Sequence, residues 1–193
     1  MKRTLFALLT TAVLVAAPLR AGDIHGQLTC KGASCADAVV YVDKIAGKTF
    51  PAPKDHALVN QLNMKFLPRV LAVEVGTTVD FLNSDKVQHN VFSPDACADK
   101  FNLGTWAQGQ KKSRTFTKEC FASLLCLIHP EMEGFIAVVP TPYFTTVGAD
   151  GSYKISEVPD GAYTLKVWHP KLKGAPQSVN VKGSTEANFE IGH

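Results

Sequence analysis

The sequence predicts an all-β protein with the architecture of a β-sandwich. Runs rich in valine, phenylalanine and threonine alternate with glycine and proline, a pattern typical of short strands separated by turns. No long stretch shows the hydrophobic period of an amphipathic helix. We therefore expect strands that pack as two facing sheets.

Strand candidates recur along most of the chain. They combine β-branched and aromatic residues with flanking turn signals, and they lie at 38–42, 70–75, 78–82, 113–117, 134–139, 153–155 and 162–168. Within 70–75, the even-numbered residues face one side of the extended segment and the odd-numbered residues face the other. Asp-Gly pairs at 150–151 and 160–161 predict tight turns, because glycine tolerates a positive φ.

The first 21 residues are predicted to be a secretory signal peptide. Lys2 and Arg3 precede an apolar run over residues 5–17, which is too short to span a bilayer. We expect cleavage after Ala21 and export to the periplasm. The alternative is an uncleaved membrane anchor.

The charge of the remaining chain gives no indication of a nucleic-acid partner. The whole chain has a formal charge of +3, but Lys2, Arg3 and Arg20 leave with the predicted leader. The exported protein is then about neutral, and it has no basic patch that would bind nucleic acid. No later apolar stretch is long enough for a membrane span.

The five cysteines indicate two disulfides and one thiol with a different role. An odd number of cysteines in an exported protein leaves one thiol outside the disulfide framework. If Cys126 binds a metal, Cys30 can pair with Cys35 and Cys97 with Cys120. The alternative is that one or both pairs stay reduced and buried.

Residues 126–132, Cys-Leu-Ile-His-Pro-Glu-Met, place a thiolate, an imidazole and a thioether on one short loop. A second imidazole, His89, follows the predicted strand 78–82. Two histidines, a cysteine and a more distant methionine form the ligand set of a mononuclear blue-copper centre. We therefore predict that His89, Cys126, His129 and Met132 bind one copper ion. The alternative is that Cys126 is a core thiol and His129 a surface histidine.

The segment 56–140 resembles the cupredoxins, the type 1 blue copper proteins of the amicyanin and plastocyanin kind. The resemblance runs through Met64–Pro68, Val73–Val79, Asn83–Asp85, His89–Val91 and the Cys-x-x-His-Pro-x-Met loop. It implies a Greek-key β-sandwich and one type 1 copper ion. It also implies a backbone hydrogen bond from Asn90 to the sulfur of Cys126. By the same resemblance, the ring edge of His129 reaches the surface, where Leu127, Phe101 and Pro130 form an apolar rim for a partner.

The two flanks, 22–50 and 143–192, resemble the two ends of a carboxypeptidase-regulatory-like domain, a small transthyretin-like β-sandwich. Turn motifs carry this resemblance, above all Asp-Gly-Ser-Tyr at 150–153 and Pro-Asp-Gly-Ala-Tyr at 159–163. It implies a discontinuous domain into which the copper segment is inserted. The alternative is a linear order, in which 22–50 lengthens the sheet of the copper domain.

The predicted function is electron transfer in the periplasm, with a dehydrogenase or a cytochrome as the redox partner. Four protein ligands leave no open position for a substrate, so an enzyme is not predicted. The alternative is copper delivery or storage, or a docking module without redox turnover. Only Met64 and Met132 remain after cleavage, which argues against delivery, because Cu(I) carriers recruit several methionines. Resemblance also suggests a methylamine-utilisation role, although no residue specifies that pathway.

Overall fold

The structure of this chain is a computed structural model that describes residues 20–193. Residues 1–19, and with them nearly all of the predicted leader, lie outside the described residues. The described part is built from strands and two 3₁₀ turns, Cys35–Asp37 and Ala96–Ala98, with no α-helix. None of its elements is a helix long and apolar enough to cross a membrane.

The strands differ widely in length, from two residues to ten. They are β1 Ala21–Cys30, β2 Val39–Val42, β3 Ala57–Gln61, β4 Phe66–Leu67, β5 Val70–Glu74, β6 Thr78–Asn83, β7 His89–Phe92, β8 Asn102–Trp106, β9 Lys111–Thr115, β10 Cys120–Leu125, β11 Glu133–Val139, β12 Phe144–Thr146, β13 Ser152–Pro159, β14 Gly161–Trp168, β15 Gln177–Val181, β16 Thr185–Glu186 and β17 Phe189–Ile191. The predicted all-β sandwich class is confirmed.

The middle of the chain forms two sheets that face each other. One has the strand order β5-β11-β10-β7-β8 and the other β4-β3-β6-β9. Between them lies a cluster of buried side chains from both sheets, which includes Phe66, Phe81, Trp106, Met132 and Ile136. Cys126 belongs to the same cluster, so the predicted metal loop lies at one margin of this core.

Strands from the two flanks of the chain share two further sheets. In one sheet β1 pairs antiparallel with β13 and parallel with β16 and β17. In the other, β2 pairs antiparallel with β12 and β14. These sheets enclose a second cluster that contains Ile24, Val40, Ile155 and Leu165.

The close approach of β1 to the C-terminal part of the chain requires glycine at more than one position, among them Gly26. A Cβ atom on Gly26 would lie 1.8 Å from the backbone oxygen of Ala187. The backbones of β1 and the chain before β17 therefore meet without an intervening side chain, and the Ala187 N–H donates to the His25 carbonyl at 2.9 Å.

Aromatic side chains join the two pairs of sheets. The ring of Trp168 on β14 stacks on Phe121 of β10, with centroids 5.2 Å apart and planes 8° apart. It meets Phe135 of β11 edge to face at 5.8 Å. Tyr41 of β2 lies 5.7 Å from Phe121. This third apolar cluster places the outer face of the middle sheet against the flanking sheet.

Arg69 adds a polar contact between the same two parts of the chain. Its guanidinium contacts the carboxylate of Asp37, next to β2, and donates to Glu133 at 2.6 Å. The same group lies 5.0 Å above the ring of Phe135. Glu133 directly follows Met132, so Arg69 connects the flank to the end of the predicted metal loop.

Both predicted disulfides are formed. The sulfur atoms of Cys30 and Cys35 are 2.04 Å apart, and those of Cys97 and Cys120 are 2.00 Å apart. Among the described residues, Cys126 is the free cysteine, and it is buried.

Candidate metal centre

Cys126 and His129 lie on the connection between two paired strands. Strands β10 and β11 are antiparallel neighbours, with Leu125 opposite Glu133. The seven residues between them form the predicted metal loop. The Met132 N–H donates to the carbonyl of His129 at 3.0 Å, which closes the loop into a turn.

His89 approaches this loop from the neighbouring strand. It is the first residue of β7, which pairs with β10 through Phe92 and Leu125. The next residue, Asn90, is thereby placed beside Cys126. The pairing of β7 with β10 thus brings together two ligand positions separated by 37 residues of sequence.

Three of the predicted ligands converge at the end of the sandwich. The Nδ1 atoms of His89 and His129 are 3.1 Å apart, and the His129 Nδ1 lies 3.9 Å from the Sγ of Cys126. The ligand atoms of all three residues lie within 4.8 Å of one another. A set this compact can bind one ion between its members.

The predicted ligands differ in their access to solvent. His89, Cys126 and Met132 are buried, whereas His129 is half-buried. The side chain of Met132 packs in the same apolar cluster as Cys126. The site is therefore closed toward the core, and among its histidines His129 is the one that reaches the surface.

Asn90 connects the metal loop to strand β7. Its backbone N–H lies 3.4 Å from the Sγ of Cys126, and its side-chain oxygen accepts the Leu127 N–H at 3.2 Å. Its amide nitrogen donates to the Asn102 side chain and to the Gly104 carbonyl, both at 2.8 Å. Asn90 thus fixes the start of the loop through its side chain and delivers a hydrogen bond to the sulfur through its backbone N–H.

Two polar residues at the site were not predicted from the sequence. The carboxylate of Asp85 lies 2.8 Å from the Nε2 of His89. The side-chain amide of Gln61, which is fully buried, donates to the Asn90 carbonyl at 3.2 Å. The position of Asp85, four residues before His89, is a sequence signal that could have identified Asp85 as a site residue. No comparable signal in the sequence identifies Gln61.

Opposing effects determine the protonation of Asp85. Burial raises the pKa of its carboxyl, but the N–H of Met64, the ring of His89 and the N–H of Asn63 lower it by a larger amount. The net pKa lies below its ordinary value, so the group that faces His89 is a carboxylate at neutral pH.

The predicted apolar rim is present in part. Leu127 is 61% exposed, and Ile128 and Pro130 are also exposed. The prediction was wrong for Phe101, which is only 7% exposed. The ring of Phe101 packs edge to face against Phe116 and is covered by the Arg114 guanidinium 4.3 Å away.

The donor set fits copper. Buried thiolate and imidazole groups are soft to intermediate ligands that suit copper, whereas magnesium and calcium prefer clusters of oxygen atoms. The Sγ also faces the backbone N–H of Asn90 at 3.4 Å.

Comparison with known protein families gives two matches within the chain. Residues 54–139 match the family model of copper binding proteins of the plastocyanin/azurin family. Residues 141–188 match the model of domain II of polysaccharide lyase family 4, which identifies a further domain in the C-terminal flank. No curated protein matches the chain.

Solved structures similar to this chain include several cupredoxins. A reduced tryptophan-to-tyrosine variant of amicyanin is 27% identical, with a TM-score of 0.42, and the match covers 45% of this chain and 85% of amicyanin. A purple cupredoxin from Nitrosopumilus maritimus is also 27% identical, with a TM-score of 0.40 and coverage of 42% and 98%. The predicted cupredoxin resemblance is thus confirmed by the copper-binding family model, which matches residues 54–139.

Proposed function

We propose that this protein transfers electrons in the periplasm through one type 1 copper ion bound by His89, Cys126, His129 and Met132. The observation that carries the proposal is the convergence of two imidazole nitrogens and one thiol sulfur within 4.8 Å. The match of residues 54–139 to copper binding proteins supports the choice of metal.

A bound copper ion supplies a one-electron redox couple at a site whose ligands the fold already holds in place. His89 is buried between strands, and Cys126 is held by the Asn90 N–H. A site that changes little between two oxidation states transfers electrons readily, because little of its environment must reorganise. Four protein ligands also exclude a substrate from the metal, which favours an electron carrier over an enzyme.

The exposed loop supports docking of a redox partner at this end of the molecule. Leu127, Ile128 and Pro130 form an apolar surface beside the half-buried ring of His129. Exposed apolar residues of this kind mark surfaces for protein association. We propose that a periplasmic dehydrogenase or cytochrome binds here, with His129 as the ligand nearest to it.

The test is the visible spectrum of the copper-loaded protein. The oxidised protein should be intensely blue from thiolate-to-copper charge transfer, and Cys126→Ser should abolish the colour because it removes the thiolate. Met132→Leu should shift the midpoint potential, because it removes the thioether. A colourless Cu(II) adduct of the native protein would contradict the proposal. A blue protein whose copper does not cycle between oxidation states, and which loses its copper easily to a chelator, would support copper delivery instead.

We also propose that residues 22–50 and 143–192 form one discontinuous domain. The pairing of β1 with β13 and of β2 with β14 supports it, because each pair joins the two flanks. The Val42 N–H donates to the Tyr143 carbonyl at 2.9 Å, so the chain leaves and re-enters the flanking sheet at neighbouring points.

A further inference from the structure

Asp85 contacts two separate parts of the chain at the candidate metal centre. Its carboxylate faces the Nε2 of His89 at 2.8 Å and also accepts the backbone N–H groups of Asn63 at 2.8 Å and Met64 at 3.0 Å. Its own N–H donates to the Asn83 side chain at 2.9 Å. The side chain of Asp85 is 13% exposed and that of His89 is fully buried, so solvent competes little for these contacts.

The turn that contacts Asp85 has an uncommon backbone conformation. Asn63 and Met64 have φ values of 55° and 58°, in the left-handed region that non-glycine residues rarely adopt. Two consecutive residues in this region persist only when their surroundings hold them. The carboxylate supplies that support, because both N–H groups point at it.

The contact with Asp85 also determines which nitrogen of His89 is free. The Asp85 side chain already accepts two backbone N–H groups and lies 2.8 Å from Nε2, so this contact pairs it with a ring that carries a proton on Nε2. The unprotonated Nδ1 then lies toward the Nδ1 of His129 at 3.1 Å and toward Cys126. Metal-binding histidines are commonly oriented by such a carboxylate, which also makes the ligand nitrogen more basic.

We propose that Asp85 is a positioning residue of the metal centre. It fixes His89 in the tautomer that presents Nδ1 to the ion, and it ties the Asn63–Met64 turn to the same ring. This inference rests on the proposed copper function. A negative charge on the far side of the ring favours the more highly charged Cu(II) state, so Asp85 lowers the midpoint potential.

The test compares Asp85→Asn with two other variants of the full chain. Asparagine preserves the shape but removes the charge, and its amide can donate to Nε2, so that both ring tautomers become available. Asp85→Glu restores the charge. Asp99→Asn is the matched control, because Asp99 pairs with Lys118 at 2.8 Å on the surface and contacts none of the predicted ligands.

Three measurements decide the outcome. In the metal-free protein, nitrogen NMR of the histidine rings should show His89 protonated at Nε2, and Asp85→Asn should populate the other tautomer. Competition with a chelator should show that Asp85→Asn weakens Cu(II) binding by about 10–100-fold. The midpoint potential should rise in Asp85→Asn, return toward that of the native protein in Asp85→Glu, and stay unchanged in Asp99→Asn.

The native protein alone can overturn the inference. If its His89 carries the proton on Nδ1, Asp85 does not set the tautomer, whatever happens to the variant. Unchanged Cu(II) affinity and potential in a folded Asp85→Asn protein would also overturn it. Failure of the proposed copper function gives a different result, because the native protein loaded with Cu(II) would then be colourless. The nitrogen NMR spectra of the His89 ring would still show whether Asp85 sets its tautomer.

Discussion

At the scale of single residues, Asn90 determines where the metal loop begins. Its N–H faces the Cys126 sulfur, its side-chain oxygen holds the Leu127 N–H, and its carbonyl accepts the amide of Gln61. Buried polar groups cost free energy when they lose their partners. Because each of these groups has one partner in this arrangement, the position of the loop relative to β7 is strongly specified.

Asp80 is a second residue whose contacts have a measurable consequence. Its carboxylate faces Lys111 and Ser113 on β9, each at 2.5 Å, and the ring of His56 at 3.0 Å. The lysine contact, the serine hydroxyl and the histidine together lower its pKa from 3.8 to about 2, against the effect of burial. The ionised form therefore stabilises the pairing of β6 with β9.

The depressed pKa of Asp80 predicts how stability falls in acid. A group with a lower pKa in the folded state contributes stability above its unfolded pKa and loses it as pH falls through the folded one. We expect the free energy of unfolding to decline by about 1–2 kcal/mol between pH 4 and pH 2 from this group. Asp80→Asn should lower stability at neutral pH and flatten this part of the pH profile, as measured by urea unfolding. An equally steep profile in Asp80→Asn would contradict the assignment.

Spacing in the sequence identified the candidate ligands but not the residues that support them. Cys126, His129 and Met132 share one loop, so their proximity follows from sequence distance alone. Gln61 comes from a strand far away in the sequence, and its contact with Asn90 depends on tertiary packing. The burial of Phe101 was missed for the same reason, since Arg114 and Phe116 cover it from another strand.

At the scale of elements, a disulfide joins the segment that follows β7 to the strand that leads into the metal loop. Cys97 lies in the second 3₁₀ turn and Cys120 begins β10, the strand that leads to Cys126. The Ser123 N–H also donates to Asp95 at 2.6 Å, beside that turn. These contacts hold the segment after β7 against β10, so the two strands that carry the ligands are cross-linked.

The two disulfides should differ in their contribution to stability. Cys97 and Cys120 are 23 residues apart, whereas Cys30 and Cys35 are 5 apart. Chain entropy predicts that loss of the longer bridge costs about 1 kcal/mol more, because it closes a longer loop in the unfolded chain. Double serine variants of each pair, compared by chemical unfolding, measure this difference. Equal losses would show that native-state contacts outweigh loop length.

The seven predicted strands correspond to β2, β5, β6, β9, β11, β13 and β14, whereas β10 was not predicted despite its apolar residues. Strand β5 is apolar on both faces because Leu71 and Val73 face the copper-side core while Val70 and Ala72 face the flanking sheet. The β9 strand at Lys111–Thr115, which overlaps the predicted strand 113–117, is mostly exposed and polar. The short parallel strands β16 and β17 depend on β1, so local sequence gives little indication of them.

At the scale of the whole molecule, four sheets form successive layers. The flanking sheet of β12-β2-β14-β15 packs on one face against the sheet that contains β1 and β13, through the apolar cluster of the flanks. On its other face it packs against the middle sheet through Trp168 and Phe121. The sequence predicted the sandwich class and the two candidate boundaries. It did not predict that aromatic rings join the two sandwiches, because Phe121 and Trp168 come from segments that had been assigned to different domains.

The proposed discontinuous domain predicts which fragments of the chain fold. A chain in which a short Gly-Ser linker replaces residues 51–140 retains β1, β2 and the C-terminal strands with their shared core. We expect it to fold cooperatively, as judged by circular dichroism and thermal unfolding. Its stability should be reduced, because Tyr41 and Trp168 lose the contacts with Phe121 that cover them.

The linear arrangement predicts the opposite result. It requires residues 22–140 to fold without the C-terminal segment, and it leaves the chain with the linker unfolded. In the discontinuous arrangement, the 22–140 fragment lacks β13 and β14, which pair with β1 and β2. Its first 29 residues, 22–50, therefore lose every sheet partner described for them. Protease digestion of that fragment should therefore remove 22–50 and leave a core near residues 54–139, the span that matches the copper-binding family model. A protected N-terminal segment would establish the linear order.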